Sequence, residues 1–348
     1  MNFWKDKRVL ITGHTGFKGS WLSFWLNSLG AKVCGYSLLP ETNPNLFENL
    51  NLENLIESNI GDIRDLSNFS QTITDFQPDI VFHLAAQPLV RRSYREPIET
   101  YTTNVIGTIN ILEAIRQVDS VKSAVIITTD KVYENEERSF GYSENDRLGG
   151  FDPYSNSKAC AELAVSSYRN SFFADGKCLI ATARAGNVIG GGDWSEDRLL
   201  PDVFRSLIFG ENLLIRNPNS VRPWQHTLEP LNGYMLLAEK LFVGNKDFAN
   251  AWNFGPEDED AKPVGFILDE IKQIWDEEVN WQIAVGEHPH ETNLLKLDSS
   301  KSKNELGWKP KLSLPEALKL TSDWYKAFKN KEDLIEITNK QIEFYINR

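Results

Sequence analysis

The sequence predicts an α/β protein built on a doubly wound parallel sheet, with a smaller, partly interleaved C-terminal substrate domain. Three observations carry that prediction. Short runs of β-branched residues alternate with longer amphipathic stretches through the first half of the chain. The strand candidates are continuous apolar runs, the pattern of strands covered by helices on both faces. The first of them runs directly into a glycine-rich turn, Gly13-His14-Thr15-Gly16-Phe17-Lys18-Gly19, at the start of a helical stretch.

The strand candidates are residues 8–12, 32–37, 79–85, 123–129 and 178–183. Between them lie two strong amphipathic stretches. Residues 98–118 carry Tyr101, Val105, Ile109, Leu112 and Ile115 at helical spacing, and residues 155–173 read the same way. After about residue 185 the texture changes. Gly190, Gly191 and Gly192 form a loop, followed by Asp193, Trp194 and a run of Arg, Pro and Asn. Residues 199–209 and 228–241 read as helices. Residues 255–348 are mixed, with an extended run around 294–297 and helices at the end. We therefore expect one domain of residues 1–185 plus about 223–254, and a second of about 186–222 and 255–348.

Composition narrows the class of function. The chain has 348 residues and a formal net charge of −12. Such a surface repels nucleic acid and anionic membranes, although a local group of arginines can still bind a small anion. No signal-peptide pattern opens the sequence, and no run of about 20 apolar residues predicts a membrane span. Cys34, Cys160 and Cys178 fit neither a disulfide framework nor a metal-binding pair. We expect reduced cysteines, a cytoplasmic location and no metal, since no His, Cys or carboxylate cluster has ligand spacing.

The glycine turn predicts a dinucleotide site and a Rossmann-type sheet. Gly13 allows a sharp turn, Gly16 lets backbone approach a pyrophosphate, and Gly19 allows close packing of helix on strand. The helix N-terminus behind them offers N–H groups and positive dipole. Thr15, Phe17 and Lys18 lie in the same turn. The acid expected about 20 residues later, to bind the ribose hydroxyls, is missing: the second strand ends Gly35-Tyr36-Ser37-Leu38. No arginine stands there either, so this position chooses neither NAD nor NADP. Asp62 and Ile63, after the next extended piece, are candidates to bracket the adenine. Asp62 reads equally well as a helix cap.

Tyr154-Ser155-Asn156-Ser157-Lys158 is the reactive candidate. Spacing of four residues puts both side chains on one face of a helix. A nearby ammonium favours phenolate and is expected to lower the Tyr154 pKa toward that of a working base. Thr129, at the end of the strand of residues 123–129, lies where a hydroxyl can bind the same substrate oxygen. Asp130 and Lys131 follow it directly. By themselves they read either as active-site groups or as a surface ion pair.

These residues resemble the extended short-chain dehydrogenase/reductase family, and the resemblance covers nearly the whole chain. It includes the glycine turn, His83-Leu84-Ala85-Ala86, Asn104, Thr129 with Tyr154 and Lys158, and Arg184-Ala185-Gly186-Asn187-Val188-Ile189-Gly190. Within the family these segments are similar to those of nucleotide-sugar enzymes, and Asp130-Lys131 resembles the pair found in the 4,6-dehydratases that act on CDP-glucose. The resemblance implies bound NAD, held by Gly13, Thr15, Gly16, Phe17, Lys18, Asp62, Ile63, Ala85, Ala86, Asn104, Tyr154 and Lys158. It implies CDP-glucose as substrate, with Asn187, Arg198 and Arg222 as candidates for its diphosphate. It further implies deoxysugar biosynthesis, in the supply of lipopolysaccharide O-antigen, and a homodimer formed through helices near 98–118 and 154–173.

The chemistry implied has three steps. Tyr154 deprotonates the sugar 4-hydroxyl as hydride leaves C4, with Thr129 orienting the oxygen and Lys158 supporting the phenolate. The ketone acidifies C5–H; Lys131, or a water it positions, takes that proton while Asp130 protonates the departing 6-hydroxyl. Hydride then returns to C6. A lysine can act as base only when neutral. Three alternatives stay open: a 4-epimerase, reductase or 4,6-dehydratase on another nucleotide sugar, a non-catalytic NAD-binding sensor, and an enzyme for a non-nucleotide alcohol. His226, His288 and His290 are weaker candidates, read as packing or capping residues.

Overall fold

A computed structural model describes residues 3–284 and 294–348. His288 and His290 lie outside the described residues. Seven strands form one sheet: β1 (Arg8–Thr12), β2 (Lys32–Ser37), β3 (Glu57–Ile60), β4 (Ile80–His83), β5 (Ser123–Ile127), β6 (Leu179–Arg184) and a last strand at Ala251–Asn253. Their order across the sheet is β3-β2-β1-β4-β5-β6 and then Ala251–Asn253, every pairing parallel. The sheet is the doubly wound one expected from sequence. The chain reverses direction between β1 and β4, so the crevice at their C-terminal ends is the natural ligand site.

Burial explains why the strands read as unbroken apolar runs. Val9 and Ile11, Ile80 and Phe82, and Val125 and Ile127 pack into the core on one face. Leu10, Val81, Ala124 and Ile126 pack into a second core on the other. Successive side chains point to opposite faces, and both faces are covered by helices. On the second face these are Leu66–Phe76 and Gly107–Arg116, contributing Phe69, Ile73, Ile111, Leu112 and Ile115. The first face is covered by α1 (Phe17–Ser28), by Leu228–Phe242 and by C-terminal helices.

Two strands carried weak sequence signals. β3 is polar, Glu57-Ser58-Asn59-Ile60, because it is a half-exposed edge strand. Ala251–Asn253 has three residues and becomes a strand by pairing with β6, a contact made at long sequence distance. The stretch of residues 98–118 is also corrected. It is helical over Pro97–Arg116, but Thr102–Ile106 forms a π turn. One extra residue in a turn rotates everything before it relative to everything after. Leu112 and Ile115 are buried as the period predicts, whereas Tyr101 is exposed and Asn104 is buried in its place.

Among the described residues beyond 185, three small two-stranded sheets form. Val188–Ile189 pairs with Gln225–His226, Leu213–Ile215 with Trp281–Ile283, and Val221–Pro223 with Ala261–Pro263. The C-terminal helices Leu314–Lys329 and Leu334–Ile346 are tied back through one buried carboxylate. Glu229 accepts N–H bonds from Lys311 and Leu312 at 2.8 and 2.7 Å and a hydroxyl from Tyr345 at 2.8 Å. Among the described residues, no helix is long and apolar enough to cross a membrane, and no group of His, Cys, Asp and Glu could hold a metal ion.

Candidate active site

The glycine turn follows β1 at the switch point. Gly13 has φ +77°, and a Cβ there would meet the backbone nitrogen of Ala85 at 2.7 Å. A Cβ at Gly19 would overlap the carbonyl oxygen of Gly13 at 2.0 Å. These two glycines let the loops after β1 and β4 touch and let α1 start at once. Gly16, at the N-cap of α1, has no side chain to cap the first turn. The first N–H groups of the helix are thus left for an anion. That arrangement fits a dinucleotide pyrophosphate.

The adenosine end is less as expected. Thr15 Oγ1 lies 2.9 Å from Ser37 Oγ and donates to the Leu38 carbonyl at 2.9 Å, so the end of β2 carries hydroxyls where an acid was sought. Asp62 does not cap the next helix; Asp65 does, accepting from the Asn68 N–H at 3.1 Å. Asp62 instead grips Arg64, whose guanidinium holds the carboxylate below its ordinary pKa. The Ile63 side chain is buried in the core, where Gly107 leaves it room. Asn104 braces the loop after β4. Its Oδ1 accepts the Gln87 N–H at 2.9 Å, and its Nδ2 donates to the Gln87 carbonyl and to Ser157 Oγ at 3.1 and 2.9 Å. These bonds pin the loop after β4 that carries Ala86 and Gln87.

A cavity of about 410 Å³ opens beside the glycine turn. Phe17, Lys18 and Ala86 line it at the cofactor end. Thr129, Asp130, Lys131, Tyr154 and Lys158 line its middle, and Asn187, Arg198 and Arg222 its far wall. Gly13, Thr15, Gly16, Asp62, Ile63, Ala85 and Asn104 lie outside its lining. Tyr154 and Lys158 sit on the first turns of the helix Pro153–Ser171, which starts with Asp152 accepting the Ser155 N–H at 2.9 Å. Both are buried. Thr129 caps the short 3₁₀ turn Asp130–Val132, accepting from the Lys131 N–H at 3.3 Å and donating to Asp130 Oδ1 at 2.9 Å. Asp130 Oδ2 is buried without a hydrogen-bond partner.

The electrostatics correct one expectation. Burial pushes the Tyr154 phenol up to about 12; the Thr129 hydrogen bond and the Arg198 charge oppose this, and Asp130 adds to it. Lys158 is not among the groups that act on it, and its Nζ donates to the Ile127 carbonyl at 3.1 Å. Lys158 is itself pushed down to about 7 by burial and by Lys18, with Glu162 opposing. Lys18 is lowered to about 8 by burial and by Arg198. Three basic groups therefore converge on one pocket, a surrounding made for anions.

Arg198 forms a salt bridge to Asp193 at 2.9 Å, but inside the cavity wall. Asn187 holds φ +46° beside it. Sequence reasoning missed Arg91 and Arg216, which share Asp197 at 2.8 and 3.4 Å and line the outer cavity. Neither lies in a local pattern; only the fold collects them. His226 is fully buried, stands edge-on to Trp21 and accepts the Leu228 N–H at 3.3 Å, as its reading as a packed, capping residue required. The three cysteines are free.

Comparison with known proteins narrows what such a site serves. The family model of GDP-mannose 4,6 dehydratase matches residues 10–321. A CDP-glucose 4,6-dehydratase of Salmonella typhimurium is 52% identical over 99% of this chain and 98% of its own. Among solved structures, UDP-glucose 4-epimerase of Thermotoga maritima with UDP-glucose superposes with a TM-score of 0.79 at 24% identity, covering 92% of this chain and 99% of that one. The dTDP-glucose 4,6-dehydratase of Bacillus anthracis in complex with NAD gives 0.78 at 21%, covering 94% and 99%. The two structures share the fold.

Proposed function

The chain belongs to the GDP-mannose 4,6-dehydratase family, within the extended short-chain dehydrogenases/reductases, and from that premise we propose that it converts CDP-glucose to CDP-4-keto-6-deoxyglucose and water with a tightly retained NAD. The observation that carries this reading is one cavity wall holding both an oxidation set, Thr129, Tyr154 and Lys158, and an elimination pair, Asp130 and Lys131. A 4-epimerase needs only the first. The 52% identity to a CDP-glucose enzyme supports the nucleotide.

Bound NAD would supply the hydride acceptor and donor and the positive charge of an oxidised nicotinamide ring. The glycine turn and α1 would hold its pyrophosphate, Thr15 and Ser37 its adenosine ribose, and Lys158 its nicotinamide ribose. Tyr154 holds the proton of the sugar 4-hydroxyl as C4 is oxidised, and Thr129 orients that oxygen. Since burial pushes Tyr154 up, the phenol needs added positive charge to work as a base, which the oxidised nicotinamide ring would supply. Asp130 protonates the departing 6-hydroxyl, and Lys131, or a water it positions, takes the C5 proton. Arg198 and Arg222, with Asn187, hold the diphosphate. The division into an NAD-binding domain, 1–185 with about 223–254, and a nucleotide-sugar domain, about 186–222 and 255–348, follows the same allocation.

Turnover on CDP-, UDP-, GDP- and dTDP-glucose with product mass tests the reading. CDP-glucose should lose one water with no net reduced cofactor. A product of unchanged mass would make the protein an epimerase; faster water loss from another nucleotide would reassign the substrate. Cofactor binding without turnover on any would return the sensor.

We also propose a homodimer through the adjacent helices of residues 97–116 and Pro153–Ser171. Ile98 is 79% exposed and Leu163 60%, an apolar outer face that suits a second copy of itself. Sedimentation should give a dimer, and Ile98→Asp with Leu163→Asp a monomer; an unchanged dimer in that variant sinks the proposal. The three free cysteines support the cytoplasm.

A further inference from the structure

Behind the cavity lies a buried ion pair that the chemistry above does not use. Glu162 follows Tyr154 and Lys158 at four-residue steps on one helix. Its side chain and that of Arg184 are each 3% exposed. Arg184 Nε and Nη2 donate to the two carboxylate oxygens at 2.8 and 2.9 Å. Thr128 and Thr182 add hydroxyls at 2.6 and 2.7 Å. The remaining arm of Arg184, Nη1, donates to the Tyr133 hydroxyl at 2.8 Å, and that hydroxyl donates to Asn253 Oδ1 at 2.8 Å.

Thr128 and Tyr133 are the two ends of the segment that contains Thr129, Asp130 and Lys131. One end is held by Glu162, the other by Arg184. Two residues beyond Arg184, Gly186 forms the wall against the Asp130 carboxyl: a Cβ there would lie 1.9 Å from Asp130 Oδ2. The helix of Tyr154, the strand of Thr129 and the wall behind Asp130 are thus tied to a single pair of charges. Stability alone is a poor reason for it, since a buried pair contributes little net stability over apolar packing. Orientation is a better one, because reacting groups must be held to fractions of an ångström.

We infer that Glu162 and Arg184 are positioning residues that hold the Asp130–Lys131 pair in register with Tyr154, so that elimination follows oxidation without delay. This rests on the dehydratase reading. Burial raises the Glu162 pKa, but Arg184 and the Thr128 and Thr182 hydroxyls outweigh it and hold the carboxyl below its ordinary value, so the tether is charged throughout the working pH range.

The two tether ends separate the steps. Tyr133→Phe removes only a hydroxyl and keeps the ring stacked on Tyr142 at 5.2 Å. It releases the end next to Lys131. Thr128→Val releases the end next to Thr129. In a single turnover of CDP-glucose, followed by absorbance of bound reduced cofactor and by product mass, Tyr133→Phe should slow water loss about tenfold and leave C4 oxidation within about twofold. Reduced cofactor and an undehydrated 4-keto sugar should then build up. Thr128→Val should slow both steps. Glu162→Gln should behave as the sum, but it strands Arg184 without its counter-charge and can unfold the chain, so the test rests on the other two. A lost fold slows both steps equally; Tyr133→Phe doing so, or matching the parent in both, overturns the inference. The parent's own turnover tests the dehydratase reading separately.

Discussion

Tyr154→Phe should slow C4 oxidation of CDP-glucose by about 10³-fold, within the range that a positioned acid–base group supplies. The substitution removes one oxygen and leaves the ring packing, so the fold is kept. What it removes is the group that Thr129 hydrogen-bonds and Arg198 polarises. No neighbour can replace it. Lys158 is directed at the Ile127 carbonyl, and the Thr129 hydroxyl is spent on Asp130 Oδ1. Because oxidation comes first, loss at Tyr154 stops everything after it: no reduced cofactor, no water and no deoxy product. The phenol is pushed up to about 12 and Lys158 down to about 7 in the protein alone. The phenolate fraction therefore grows with pH, and the oxidation rate of the parent should rise with it, while the Tyr154→Phe rate stays flat. Rapid-mixing measurement of bound reduced cofactor decides this. A Tyr154→Phe rate near that of the parent would remove Tyr154 from the chemistry, and the whole scheme with it.

How much of this was legible in the sequence depended on distance along the chain. The glycine turn and Tyr154/Lys158 are local patterns, and the local geometry they demand is what forms. Thr129, Asp130 and Lys131 were legible because a strand end in such a sheet must face the crevice. The polar edge strand β3 was not, since its stability comes from pairing with β2 rather than from apolar burial. Ala251–Asn253 was hidden for the same reason. The π turn at Thr102–Ile106 has no compositional mark, yet it shifts the buried face and turns Asn104 inward. The Glu162–Arg184 pair joins residues 22 apart, and each alone reads as a solvated charge. The direction of the Tyr154 shift was misjudged for a physical reason. Spacing places an ammonium near a phenol, but only the three-dimensional fold shows that burial dominates.

Lys131→Ala carries the second large effect, and a different signature. Elimination across C5–C6 needs a base on C5 and an acid on the 6-hydroxyl. Asp130 is buried with Oδ1 taken by Thr129 and Oδ2 unpartnered and protein-enclosed, so it is placed to serve as one of the two. Lys131 follows it in the same 3₁₀ turn and lines the same cavity, one residue further round. Removing its side chain leaves Tyr154, Thr129 and Lys158 untouched. C4 oxidation should therefore proceed at the parent rate, while water loss falls about 10²- to 10³-fold. Tyr154→Phe yields no reduced cofactor; Lys131→Ala yields it and then stalls, with a 4-keto sugar that has kept its 6-hydroxyl. Mass and absorbance in one single-turnover experiment separate the two. If Lys131→Ala dehydrates CDP-glucose at full rate, the C5 proton is taken by another group, and Asp130 must be reconsidered as the base. If instead oxidation falls together with dehydration, Lys131 belongs to substrate binding, and the elimination pair reduces to Asp130 alone.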